Sequence, residues 1–258
     1  MGFEQLTRRT VSLVLSSITA GLILGFTAMA VGLAHKEVGL LGWPALERLA
    51  PALVYPLGFA MCILGGAQLF TEHTAMAVYP VLDRVASVWM LLRLWGLVLF
   101  GNLAGAFLSA ILLAGAEPVI QVGPGYAAAG EHLVGWDLFP LMVSAVLAGW
   151  LMALGGWLLL SATSTMGRVL CIYMVTFLIG LGGLHHSIAG AAEIFADLLT
   201  SQVHQPGEAL RFLAIAIVGN LVGGSVFVAA LNYAHIRHTQ VETSSEPSLY
   251  SPRDMPKE

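Results

Sequence analysis

Gly182-Gly183-Leu184-His185-His186-Ser187-Ile188-Ala189-Gly190 places two histidines and a glycine pair inside an apolar run that otherwise has the character of a membrane helix. Ionisable groups at bilayer depth are costly, and a glycine-rich break exposes backbone groups that lipid cannot satisfy. Both are therefore confined to protein-lined cavities or pathways. The break marks the expected functional site.

The chain carries an echo of this stretch. Gly65-Gly66-Ala67-Gln68-Leu69-Phe70-Thr71-Glu72-His73 again sets a glycine pair and polar groups after an apolar run, 117 positions before Gly182-Gly183. Gly101-Asn102-Leu103-Ala104-Gly105 returns 118 positions later as Gly219-Asn220-Leu221-Val222-Gly223. Two matches at nearly one offset indicate a duplication. Paired interrupted segments in the two halves of a membrane protein point to a repeat transporter with its site at the midplane.

Composition agrees with a membrane setting. Hydrophobic residues make up 57% of the 258 positions and charged residues 10%, with mean hydropathy +0.83, which is too apolar for a soluble domain. The net charge of -4 gives no sign of a nucleic-acid partner. Cys62 and Cys171 both lie in apolar runs and suggest neither a disulfide framework nor a metal cluster.

A crossing helix needs about 20 apolar residues. Six segments qualify, at about 11–34, 51–70, 88–114, 138–160, 168–198 and 209–236. The expected fold is an all-α integral membrane protein with six transmembrane helices in a three-plus-three inverted repeat, helices two and five being interrupted. Arg8-Arg9 before an apolar stretch also admits a twin-arginine signal peptide, but removing it would leave five crossings and destroy the repeat. With cytoplasmic termini, eight positive residues fall inside (Arg8, Arg9, Arg84, Arg93, Arg168, Arg237, Arg253, Lys257) and three outside (Lys36, Arg48, Arg211). That distribution obeys the positive-inside rule. Residues 115–137 are then an outer loop, 1–238 a single membrane domain, and 239–258, rich in Ser, Thr, Glu and Pro, a disordered cytoplasmic tail.

His186 is expected to line the path, where it titrates near neutrality and exchanges a proton with an approaching anion. Thr71 is placed either as a helix cap or as its hydrogen-bond partner across the two breaks. Asn102 reads as an interhelical amide contact, and Asn220 divides between that role and a pore position. A metal site drawn from His73, His185 and His186 is a further possibility, weakened because adjacent histidines point apart and no cysteine is near. No metal or other cofactor is expected. The apolar residues near the breaks, if they face inward, make constrictions that stop hydrated ions.

Gly66-Ala67-Gln68-Leu69-Phe70-Thr71, His186-Ser187-Ile188-Ala189, Phe100-Gly101-Asn102-Leu103 and Gly219-Asn220 together resemble the formate/nitrite transporter family over about residues 10–236. The resemblance implies an aquaporin-like protomer, a homopentamer with one pore per subunit in the bacterial inner membrane, and His186 as the central histidine with Thr71 as partner. It also implies an outer constriction at Tyr55, Leu69 and Phe70 and an inner one at Phe59, Ala153 and Ile179. From the residues themselves, Asn220 and His185 are further candidate pore residues. Three positions depart from the family pattern. No lysine stands between Lys36 and Lys257, so the family's vestibule lysine is missing near Val134, His132 and Asp137; Trp150 replaces an asparagine; and His185 replaces an acidic residue before the central histidine. The expected activity is conduction of small monovalent weak-acid anions. A neutral-solute channel, or an intramembrane metal-dependent enzyme, are the alternatives.

Overall fold

The computed structural model describes residues 2–230. Eleven α-helices follow in order: α1 (Gly2–Thr7), α2 (Thr10–Leu41), α3 (Pro44–Val54), α4 (Pro56–Leu64), α5 (Phe70–Leu82), α6 (Val88–Ile120), α7 (Gly123–Val134), α8 (Leu138–Ser161), α9 (Thr165–Gly182), α10 (Ser187–Thr200) and α11 (Pro206–Val222). A π-helical segment, Gly223–Ala230, continues α11. The tail beginning at 239, and the boundary at 238, lie outside the described residues.

Among the described residues, six stretches are long and apolar enough to cross a bilayer: Thr10–Leu41, Pro44–Leu64, Val88–Ile120, Leu138–Ser161, Thr165–Gly182 and Pro206–Val226. The six crossings expected from sequence are therefore present. Their ends alternate between an N-terminal face, where α1 and the α5–α6 and α8–α9 connections lie, and an opposite face that carries α7.

The stretch expected to be a plain loop, 115–137, is instead helical over most of its length. α6 runs six residues further than expected, to Ile120, and α7 starts almost at once. The Glu117 carboxylate explains the join, because it accepts from the Val122 and Gly123 N–H groups at 3.1 and 2.8 Å, satisfying donors that a new helix leaves open. Tyr126 then buries its ring in the core.

The inverted repeat is visible in how each interrupted helix ends. Gly66 and Gly183 both take left-handed backbone, with φ of 69° and 59°. Gly66 N–H reaches Ile63 O at 3.1 Å and Ala67 N–H reaches Cys62 O at 3.1 Å; Gly183 N–H reaches Gly180 O at 3.1 Å and Leu184 N–H reaches Ile179 O at 2.9 Å. These are two copies of one Schellman turn, which only a residue tolerant of positive φ permits at its centre.

The long helices pair through glycine in each half. A Cβ on Gly105 would lie 2.1 Å from Ile18 O in α2, and one on Gly223 would lie 2.1 Å from Val146 O in α8. The backbones touch there, so small residues at these positions set the spacing of α2 on α6 and of α8 on the α11 segment.

Candidate functional site

Past each Schellman glycine, three residues (67–69 and 184–186) run outside helical structure, and an asparagine holds them. Asn102 Oδ1 accepts from Phe70 N–H at 2.8 Å, while its Nδ2 donates to Ser17 O and Gln68 O, both at 2.8 Å. In the second half Asn220 Oδ1 accepts from Ser187 N–H at 2.7 Å, and its Nδ2 donates to Ala145 O at 2.7 Å and His185 O at 3.0 Å. Both amides are buried. Gln68 corresponds to His185 and Phe70 to Ser187, so the two clamps are the same device used twice. Asn220 gives its oxygen and both its amide hydrogens to the backbone, which makes it a holder of the break rather than a pore lining group.

His186 and Thr71 come from opposite breaks and meet at the centre. Thr71 Oγ1 lies 2.7 Å from His186 Nε2, and both residues are about 1% exposed. His186 is the N-cap of α10, its Nδ1 accepting from Ile188 N–H at 3.3 Å and Ala189 N–H at 3.1 Å. A ring nitrogen that accepts two N–H bonds carries no proton, so the proton of the neutral ring sits on Nε2 and is donated to Thr71. The repeat equivalent of His186 is Leu69, the N-cap of α5, whose side chain makes no cap bond. The polar pair therefore interrupts an otherwise symmetric centre.

This geometry bears on the expectation that His186 takes up and releases the proton. A second proton would have to sit on Nδ1, where it would face two N–H groups and uncap α10. The ring is fixed as a donor through Nε2.

His185 points elsewhere. Its Nδ1 lies 2.7 Å from Ser144 Oγ, its Nε2 3.3 Å from His132 O, and its ring stacks on His132 at 5.4 Å between centroids. It braces the break against α7 and α8. Among the described residues no group of three or more His, Cys, Asp or Glu side chains is placed to hold a metal ion; the side chain of His73 lies outside them.

A cavity of about 790 Å³ opens between the end of α2 and α3 on the α7 face and descends to His186. Tyr55 and Ile179 line it near its floor, and His35, Arg48, His132 and Glu193 line it above. Ile179 was expected on the inner side and Leu69 and Phe70 on the outer, so the grouping changes. Ile179 joins Tyr55 because Gly180 brings α9 hard against α3, a Cβ there lying 3.0 Å from Ala52 Cα and Tyr55 Cβ. Neither Leu69 nor Phe70 lines this cavity; both are buried at the start of the half-helix that leads to the N-terminal face. Phe59 presents its ring edge-on to His186 at 5.0 Å and stacks at a tilt on Tyr55 at 5.2 Å. Ala153 is buried beside Trp157 and does not line the cavity. Toward the N-terminal face a void of about 10 Å³, bounded by Ile63, Glu72 and Thr176, is barely enough for one water.

The sequence reading missed Glu193. It stands seven residues after His186, with Gly190 between at four, a spacing that sets all three on one face of α10, and all three line the cavity. Glu193 is 6% exposed, and its Oε1 is buried without a hydrogen-bond partner.

A second polar cluster pins the end of α10 to α7. His204 Nδ1 lies 2.7 Å from Asp197 Oδ2 and its Nε2 3.1 Å from Glu131 Oε2, and the Ser201 hydroxyl bonds the same aspartate. Burial lowers the His204 pKa, but the hydrogen bonds and charges of Glu131 and Asp197 outweigh it, so the net shift is upward from 6.5. A raised folded-state value favours the protonated fold. Its contribution is complete below the ordinary histidine value and is lost as pH rises through the raised one. The melting temperature of the purified protein should accordingly fall by about 2–4 °C across that window, and His204→Gln should flatten this part of the profile. A parent melting temperature that climbs through the same window would show that the cluster does not act this way.

Two broken helices related by an inverted repeat, meeting at a buried polar pair beneath an open cavity, define a membrane transport protein of the six-span type. The chain belongs to the formate/nitrite transporter family, whose model matches residues 1–234. It is 30% identical to the inner membrane protein YfdC of Escherichia coli (strain K12) over 242 residues, 92% of this chain and 76% of that protein. Its fold is shared with an FNT family ion channel, at TM-score 0.76 and 20% identity over 88% of this chain and 90% of the other. A pentameric formate channel with formate bound superposes at TM-score 0.70 and 21% identity, over 88% and 98%. The family is one of transporters and channels, not enzymes.

Proposed function

We propose that the chain conducts small monovalent weak acids of the formate and nitrite kind, passing them in a neutral form between an apolar floor at Tyr55, Phe59 and Ile179 and the buried start of α5 at Leu69 and Phe70. The observation that carries this reading is the Thr71–His186 pair, a buried polar contact below the cavity with the Phe59 ring edge-on to the histidine. A bare anion faces a large desolvation cost there, whereas its conjugate acid has no net charge and meets a fixed hydrogen-bond donor. Membership of the formate/nitrite transporter family supports the substrate class. Stopped-flow uptake into liposomes tests it across formate, nitrite, acetate, hydrosulfide and glycerol. Weak acids should enter and glycerol should not; the reverse ranking would favour the neutral-solute reading.

The likeness to a pentameric formate channel supports assembly as a homopentamer with a conduit in each subunit. Native mass spectrometry from mild detergent should show five copies, and a uniform monomer or dimer would refute it. Eight positive residues against three support termini on the cytoplasmic side of a bacterial inner membrane. In a background with Cys171 changed to serine, a cysteine replacing exposed Asp137 should react with an impermeant thiol reagent in intact cells, and one replacing exposed Thr163 should not. The opposite labelling would invert the topology.

A further inference from the structure

Resting on the weak-acid reading, we propose that Glu193 is the proton donor of the conduit, the acid that neutralises an incoming anion in the cavity before it meets the apolar floor. The need for such a group follows from the centre itself. His186 has its Nδ1 occupied by the Ile188 and Ala189 N–H groups and its Nε2 turned to Thr71, so it has no site for an exchangeable second proton. The proton that turns an anion into its acid must come from elsewhere on the path.

Glu193 is placed to give it. It faces the cavity that ends at His186, two helical turns and about 10 Å further along α10 toward the α7 face. It is 6% exposed, with Oε1 buried and unbonded, and no hydrogen bond or ion pair reaches its carboxyl among the described residues. An ionised carboxylate in that setting lacks the partner that buried charges require, whereas the acid form is neutral and offers one O–H to whatever enters. A small carboxylate or nitrite is the complementary acceptor, and O–H···O⁻ bonds of this type are short and strong.

The other ionisable groups lining the cavity are His35 from α2, Glu47 and Arg48 from α3, Tyr55 at the α3–α4 joint, His132 from α7 and His186 at the break. None of them forms an ion pair with Glu193 among the described residues. Arg48 lines the upper cavity and is a positive charge that attracts an anion toward the acid.

The step balances without a further reagent. The Glu193 O–H bond breaks, a new O–H bond forms on the anion, and the neutral acid moves past Tyr55 to the Thr71–His186 pair. The Glu193 carboxylate then takes a proton from hydronium in the solution at the cavity mouth, and the acid gives its proton to water on the far side. One anion and one proton cross together.

The test uses the full-length protein in liposomes with an enclosed pH dye, comparing the parent with Glu193→Gln and Glu193→Asp. The parent should take up formate faster as outside pH falls, with a matching internal acidification. Glu193→Gln should lose that rise and run about tenfold or more slower in acid, and Glu193→Asp should restore part of it. Infrared difference spectra provide a readout apart from transport: a protonated-carboxyl band, shifted by added formate, should be present in the parent and missing in Glu193→Gln. A Glu193→Gln protein with the parent's pH profile would overturn the proposal, and one that conducts anions faster at neutral pH would show that Glu193 is a repelling charge. A parent that moves no weak acid at any pH would instead defeat the substrate reading, and the two failures are distinct.

Discussion

Replacing His186 with asparagine should slow weak-acid uptake about ten- to a hundredfold while leaving the fold intact. Asparagine is a strong N-cap whose short side chain can accept from the α10 N–H groups that His186 Nδ1 now serves. It is too short to reproduce the 2.7 Å contact between Nε2 and Thr71 Oγ1. A neutral acid crossing the apolar centre would then find no fixed donor, a loss of about 1–3 kcal/mol, or roughly a factor of ten for each 1.4 kcal/mol. Thr71→Val keeps the shape and leaves the Nε2–H donor in place without its acceptor, so it should slow uptake less than His186→Asn. His186→Ala should do worse than either, since it also uncaps α10. If the Glu193 assignment holds, what uptake remains in His186→Asn still quickens toward acid pH. Uptake in His186→Asn equal to the parent, at matched protein content in liposomes, would make this histidine only a cap.

The parts of this molecule that were legible in its sequence are those where the backbone needs a special residue. Gly66 and Gly183 were visible because a helix that stops at mid-membrane with positive φ requires glycine, and Asn102 and Asn220 because an apolar helix carries an amide only where something polar must be held. The repeat emerged from those four residues. The pairing of Thr71 with His186 followed from the family resemblance and the repeat, and the two side chains do meet.

What was hidden depends on direction rather than on residue type. His185 and His186 are neighbours, yet extended backbone at the break sends one ring to Ser144 and His132 and the other to Thr71. The resemblance groups Ile179 with Phe59 and Ala153, but Gly180 lets α9 approach α3 so closely that Ile179 shares the cavity with Tyr55. α7 was missed because its N-terminal donors are satisfied by Glu117, a residue of the preceding helix, and not by a cap in the usual position. Glu193 did carry a signal, its helical spacing from His186 and Gly190. A buried acid in an apolar helix is a functional residue by default in a membrane protein.

Asn220→Ala should be the most damaging single change to the fold, with its repeat partner Asn102→Ala close behind. Truncation leaves Ser187 N–H without its acceptor and takes a donor from His185 O and from Ala145 O, which keeps its helical bond, all at buried positions. Each orphaned group costs about 1–3 kcal/mol, and no lipid or bulk water reaches the break to replace the amide. Neighbouring groups cannot close the gap, because α8 already touches the α11 backbone there: a Cβ on Gly149 would lie 2.2 Å from Asn220 O. A total loss of about 3 kcal/mol or more corresponds to a fall of about 6–12 °C in melting temperature. Asn220→Asp separates hydrogen bonding from size. The carboxylate still accepts from Ser187 N–H, but its second oxygen is forced against two carbonyl oxygens, so it should be no better than alanine. Thermal melts of the detergent-purified protein, monitored by size-exclusion chromatography, would decide the matter. An Asn220→Ala protein melting within about 2 °C of the parent would mean that the break is held by packing, and that the duplicated asparagine is not what keeps the two interrupted helices apart.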